Sequence, residues 1–449
     1  MLILSLTFAC IDMKATTPRV LAIILACLGS MALNAQTMPK AKSTLFLNGI
    51  AHIGNGSVIQ NSAIAIKNGK IDFVADATTI RIDSKAFDTI IYIANKHIYP
   101  GIICPDNRIG LVEIDAVRAT IDFAEVGSFN PNVRALVSYN TDSKVIPTIR
   151  ANGVLLTQTA PVGGLLSGSS SVMRLDGWNW EDAVYSSDEG IFINWPRSSF
   201  SYGAWYDDEQ PLVKNDNKNK DVNAIRDFFK EAKAYAELDK PTPINLRYEA
   251  VKGLFTGTQT LFIRADRANQ IVEGILFAEE AGVKRIVISG GRQADKVGDF
   301  LKQHNVAVIV TRLHSLPDMP ESNIDEMYAL PFRLKEKGVL FCLGYEGDME
   351  VMGSRNLPFQ AGTAAAYGLS KEDALSSITL NTAKILGIDK TVGSLEVGKD
   401  ATLFISTGDA LDMLGNNVEA AYIDGFPVDL DTHQKASYRK YMKKYGLTE

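Results

Sequence analysis

The rhythm of apolar and polar positions changes twice along the chain. Residues 43–75, STLFLNGIAHIGNGSVIQNSAIAIKNGKIDFVA, fall into short β-type runs separated by Asn-Gly and Gly-Asn-Gly. Such pairs supply the positive φ angles of tight hairpins, so a small β unit is expected here. Residues 393–406 (GSLEVGKDATLFIS) and 418–430 (VEAAYIDGFPVDL) have the same texture. Two β pieces at opposite ends of a chain can form one domain in space. Between them the pattern becomes apolar strand, turn, helix, repeated. QTLFIRAD (259–266) precedes a helical stretch ending at Ala281, KRIVISGG (284–291) one ending at Gln303, and VAVIVTRL (306–313) a helix near 328–337; GVLFCLGYEG (338–347) follows. Near-continuous apolar strands alternating with amphipathic helices imply a parallel sheet, either covered on both faces or closed into a barrel.

The resulting plan is an α/β chain: a (β/α)8 TIM barrel over 100–386 and a small composite β-sandwich from 37–99 and 387–430. That barrel span fits the roughly 250 residues of such a fold plus insertions. Residues 195–223, WPRSSFSYGAWYDDEQPLVKNDNKNKDVN, are polar, aromatic and turn-rich. They are expected to form a flap over the barrel mouth, an assembly surface or a plain surface loop. Residues 431–449 are a C-terminal tail.

Composition narrows the function classes. With 46% hydrophobic and 22% charged residues the chain is an ordinary globular protein, and its net charge of -6 with dispersed Lys and Arg argues against nucleic acid. A small molecule, a peptide or another protein is the expected partner. The first 36 residues read as a secretory leader starting at Met13: Lys14 and Arg19, an apolar stretch from Val20 to Leu33, then Ala35 before the cut. A secreted or periplasmic protein is expected, and a lipoprotein cut before Cys27 ranks second. The apolar run falls short of the ~20 residues of a spanning helix, so no membrane span is expected. Cleavage would move the charge from -6 to -7 and leave Cys104 and Cys342. Both lie in apolar runs and read as small buried hydrophobes rather than catalytic thiols.

Three segments hold candidate chemistry. APVGGLLSGSSSVMRLDGWNWEDA (160–183) follows the early strand VLLTQTA. Its Gly163 and Gly164, with Ser167 and Ser169, could bind substrate by cradling a carboxylate or phosphate, or could form a structural loop. LVEIDAVRATIDFAEVG (111–127) carries Glu113, Asp115, Asp122 and Glu125 on a loop and an expected helix, with Arg118 placed to pair with Asp115. YPGIICPDNRIGL (99–111) follows the strand IIYIA and turns at Pro100-Gly101 before Asp106 and Arg108.

Two stretches carry a resemblance to a known family. YPGII at the end of the β unit and ALSSITLNTAKILGIDKTVGSLEVGKDATLFI (374–405) resemble the amidohydrolase superfamily, especially its imidazolonepropionase-like and secreted branches. The second resembles the family's closing signature, in which a helix from Ala374 to Gly387 returns the chain to the β domain. The resemblance implies a barrel mouth holding zinc or a similar divalent metal. The ligands would be a histidine pair after strand one, a lysine after strand four, histidines after strands five and six, and an aspartate after strand eight. Such a metal lowers the pKa of bound water to about 7 and polarises a carbonyl.

This chain departs from that set at nearly every place. Cys104-Pro105-Asp106-Asn107-Arg108 stands for Asp-x-His-x-His, Arg264 for the fifth-strand histidine, Ser289 and Gly290 for the sixth, and Glu346 for the aspartate; no lysine aligns after strand four. The five histidines are His52, His97, His304, His314 and His433, and only His314 is expected near the mouth. Arginine stays protonated and binds no metal. No metal ligand set, and hence no cofactor, is expected. Asp106, Arg108, Arg264 and Glu346 become the mouth candidates, with the two guanidinium groups replacing the dication's charge beside the two carboxylates. Two functional expectations follow. One is a degenerate amidohydrolase acting as a binding or assembly partner of an active relative, in a homo- or hetero-oligomer. The other is a hydrolase of carbon–nitrogen bonds with an altered or borrowed metal site, so whether it is an enzyme stays open.

Overall fold

Asn-Gly pairs set the hairpins of the β domain. The computed structural model describes residues 42–201, 212–317, 322–346 and 350–447; the leader and the centre of the 195–223 segment lie outside them. Strands β1 (Thr44–His52), β2 (Val58–Lys67) and β3 (Lys70–Asp76) form an antiparallel meander. β2 turns into β3 at Asn68-Gly69, with φ of 52° and 82°, the mirror-image turn whose twist matches the strands. Asn48, at φ 68°, breaks β1 in two. Its first half pairs in parallel with β4 (Thr89–Tyr92), its second with β5 (His97–Pro100).

The barrel strands are β6 (Ile102–Asn107), β7 (Val154–Thr159), β8 (Leu166–Arg174) and β9 (Val184–Asn194). After the small hairpin β10 (Ser199–Ser201) and β11 (Leu212–Lys214) come β12 (Thr260–Ala265), β13 (Ile286–Gly290), β14 (Ala307–Val310) and β15 (Phe341–Leu343). They pair in the order β6-β7-β8-β9-β12-β13-β14-β15. The open seam is drawn together by Asn107, whose side-chain amide donates to the Tyr345 carbonyl at 3.0 Å and to Ser354 at 2.9 Å. The result is a nearly closed eight-stranded barrel, as the apolar runs predict.

Its interior is packed by Ile103, Leu156, Val172, Phe192, Phe262 and Ile309. Phe192 and Phe262 stack at 4.7 Å, and burying each ring contributes roughly 2–3 kcal/mol. Gly190 makes the room: a Cβ there would lie 2.2 Å from the Phe262 ring. The helices Ala268–Ala281 and Leu330–Glu336 cover the outside.

Strands β16 (Leu403–Ser406), β17 (Val418–Ile423) and β18 (Phe426–Pro427) return to the first sheet, giving the order β18-β17-β16-β5-β1-β2-β3. Phe46 of β1 meets Tyr422 of β17 edge to face at 5.3 Å although β5 and β16 lie between them in the sheet. The sheet therefore folds over its own core of Ile64, Ile66, Ile98 and Leu403. Among the described residues no helix is long and apolar enough to cross a membrane.

Three local expectations need correction. β8 runs antiparallel to both neighbours; Gly168 to Ser171 are strand, not loop. Only residues 160–165 join β7 to β8, and a parallel crossover needs about a dozen residues. Residues 111–127 form no helix beyond the single turn Arg118–Thr120. The Thr120 hydroxyl bonds Ile114 N, Ile114 O and Val117 O, replacing helical hydrogen bonds with local ones. The helix expected over 374–387 is two, Lys371–Ser377 and Leu380–Leu386. The break frees the Ile378 carbonyl to accept from Ile103 N at 2.9 Å, which ties the second helix under the barrel.

Candidate functional site

The C-terminal ends of the barrel strands bring a carboxylate, a guanidinium and a hydroxyl together. Asp106 ends β6 at φ 41°, a left-handed conformation that Asp tolerates better than most residues. Across the barrel, Arg264 of β12 donates Nη2 to Asp106 Oδ1 at 2.6 Å and Nε to Oδ2 at 3.2 Å. Ser289 of β13 donates to the same Oδ2 at 2.5 Å. Arg264 further donates Nη1 to the Pro161 carbonyl at 3.0 Å and stacks over Phe192 at 4.4 Å. The pair is nearly enclosed, with side-chain exposures of 9% for Asp106 and 19% for Arg264. A two-pronged, partly desolvated ion pair of this kind is rigid and strong.

The remaining mouth candidates sit around this pair. Arg108 stacks on Phe123 at 4.5 Å. Burial lowers its pKa; Asp115 opposes this, Arg264 adds to it, and Glu346 and Asp106 oppose it in turn. Glu346 is held at the end of β15 by Thr311, whose hydroxyl donates to Oε2 at 2.6 Å and whose carbonyl accepts from Glu346 N at 2.7 Å. His314 bonds Thr363 on the helix Leu357–Ala366 at 2.7 Å. Glu113 receives Lys144 N at 3.3 Å just before the helix Val145–Arg150, and Arg118 donates to the Ile121 carbonyl.

The Gly-Ser segment closes the β7–β8 hairpin beside the mouth. Gly163 and Gly164 take φ of 91° and 64°, and Asn194 at the end of β9 donates to the Gly164 carbonyl at 2.8 Å and to Ser167 at 3.1 Å. Ser169 donates to Asp188 at 3.0 Å. The two hydroxyls thus have partners within the fold.

Beneath Asp106 lies a polar network that the sequence reading passed over. The Asp106 amide donates to Gln158 Oε1 at 3.0 Å, and Gln158 Nε2 donates to Glu189 Oε1 at 2.8 Å. Ser170 donates to the same Glu189 oxygen at 2.6 Å. Asp188, at φ 52°, interrupts β9 and precedes Glu189; its own carboxylate goes to Arg134. Glu189 Oε2 is buried and has no hydrogen-bond partner. Burial pushes the Glu189 carboxyl up to about 7, against the hydrogen bonds from Ser170 and Gln158. A Gln and a Glu at the edges of apolar runs, VLLTQTA and EGIFIN, were the available signal.

Comparison with known proteins gives this geometry a context. A family model described as the amidohydrolase family matches residues 279–428. An amidohydrolase from Thermotoga maritima MSB8 superposes with a TM-score of 0.73 and 25% identity, over 86% of this chain and 99% of that one. These findings support the amidohydrolase superfamily. An Xaa-Pro dipeptidase with bound methionine shares the fold at TM-score 0.53 and 16% identity, over 86% of this chain and 100% of its own. The A. niger ochratoxinase does so at 0.53 and 15%, over 86% and 96%. Among curated proteins no sequence match is found.

The side chains at this barrel mouth do not suit a divalent ion. Both Asp106 oxygens accept from Arg264, and Ser289 shares one of them. Among the described residues no group of three His, Cys, Asp or Glu could hold a metal. Cys104 and Cys342 are free and buried, and burial pushes the Cys104 thiol up to about 12, which leaves it protonated and a poor ligand.

Proposed function

We propose that this amidohydrolase-superfamily chain is degenerate at the metal position and works as a binding or assembly partner of a metal-bearing relative. The observation that carries the reading is the two-pronged Arg264–Asp106 pair with Ser289, set where two strand ends of the mouth face each other. A guanidinium there supplies fixed positive charge in place of a dication and offers no lone pair to one. The ligand class is a small molecule or peptide, and the leader in residues 1–36 would deliver the chain to the periplasm or beyond.

The second reading is a carbon–nitrogen hydrolase with an altered or borrowed site. The family match over 279–428 favours it, and it needs metal ligands from another chain. Purification of the mature protein from its native host tests both. The first reading expects a complex with a histidine-bearing relative whose metal content is accounted for by that relative. A homogeneous preparation of this chain that carries its own metal and cleaves amides would overturn it.

A further inference from the structure

At the opposite end of the barrel some cations are paired, Lys335 with Asp373 and Lys337 with Asp299, and others are not. Where β13, β14 and β15 begin, Lys284, Arg285, Lys302 and Lys384 line a cavity of about 370 Å³. Glu279 is the sole carboxylate on that lining, and it is bonded to His304 Nδ1 at 2.7 Å. Among the described residues Arg285 hydrogen-bonds the Ile385 carbonyl, at 3.5 Å. Lys284, Lys302 and Lys384 make no ion pair among the described residues. Lys302 leans over the rim, with Nζ 3.0 Å from where a Cβ on Gly338 would stand. The lining also has apolar members, Ile286 and Leu340, the latter 39% exposed.

Like charges gathered around a concave surface repel one another and focus a positive potential into it. An anion with two or more charges relieves that repulsion, and several ammonium groups lining one cavity suit a phosphate, whose oxygens accept from all sides. The apolar lining members can pack against the carbon portion of the same ligand.

We propose that this groove is an anion site that binds a phosphate-bearing ligand, the phosphate against Lys284, Lys302 and Lys384 and its organic part over Ile286 and Leu340. It is separate from the mouth and independent of whether the mouth holds metal. A soluble phosphate and a phospholipid headgroup share this chemistry, and the test separates them. The full mature chain is titrated calorimetrically at low salt with pyrophosphate, and in parallel with phosphatidylglycerol and phosphatidylcholine vesicles. One saturable site for pyrophosphate is expected, weakened about tenfold or more in K302A/K384A. The melting temperature should be unchanged, since neither lysine has a partner to lose, and the matched pair K440A/K443A on the C-terminal helix should bind normally. Binding to phosphatidylglycerol vesicles alone, abolished by K302A/K384A, would assign the headgroup as the source. Absence of saturable binding to either probe, or binding that K302A/K384A leaves untouched, overturns the proposal.

Discussion

Two acidic residues inside the barrel are joined by one glutamine, and only one of their carboxyl groups has a cation among the described residues. Asp106 meets Arg264 in two hydrogen bonds, while Glu189, linked to the Asp106 amide through Gln158, has a buried oxygen with no partner. The barrel solves the same desolvation problem in two ways. At the mouth a guanidinium balances the charge; one layer away, burial moves the carboxyl up to about 7 so that a proton balances it. A carboxylate kept ionised in a dry site needs a fixed positive partner, and at the mouth of this fold that partner is an arginine.

The contrast can be broken most forcefully at its charged member. Arg264→Ala should destabilise the protein by about 3–5 kcal/mol, because it strands a nearly buried carboxylate. The double variant D106N/R264M should recover most of that loss, since a neutral pair no longer needs solvation. Urea unfolding of the three proteins measures it, and an R264A midpoint equal to wild type would show that the Arg264–Asp106 pair does not hold the mouth together.

Glu189 gives the next largest effect, and its sign follows from the raised pKa. Below about 4.5 the folded and unfolded states both hold the proton, so burial costs nothing in charge. As pH rises, the unfolded chain releases its proton first, and stability falls until the folded group titrates near 7. The loss across that window is about 3 kcal/mol. Glu189→Gln removes it, so the variant should gain on wild type steadily from pH 4.5 to 7.5 in thermal melts. Parallel pH profiles for the two proteins would show that Glu189 is not held protonated.

The smallest effect concerns the link itself. Gln158→Leu leaves the Asp106 amide without its acceptor and Glu189 with Ser170 as its remaining donor, at a cost of about 1–2 kcal/mol. Hydrogen exchange at the Asp106 amide should quicken more than at Ile103, which keeps its bond to Ile378. Equal exchange at both would mean that Gln158 does not support the mouth.

These residues differ in how far the sequence announces them. Hairpins at Asn68-Gly69 were readable because the turn chemistry is local, and β12 to β15 because a buried parallel strand is a bare apolar run. β8 was not, since Gly-Ser-Ser-Ser has loop composition and becomes strand only by pairing on both sides. The opposition of Arg264 and Asp106 could be anticipated from their places after barrel strands. That Arg108 would stack on Phe123 could not, because it depends on the path of the 111–130 loop. Glu189 was hidden by Asp188, whose positive φ interrupts the strand's alternation, a device invisible in side-chain period.

If an ion pair fills the place a metal would take, the mature chain has no site left for a metal ion. The purified mature chain, equilibrated with zinc, manganese and iron(II) and then desalted, should retain far less than one ion per molecule by elemental analysis. One tightly held ion per chain, lost on substitution of Asp106 or Glu346, would contradict the account.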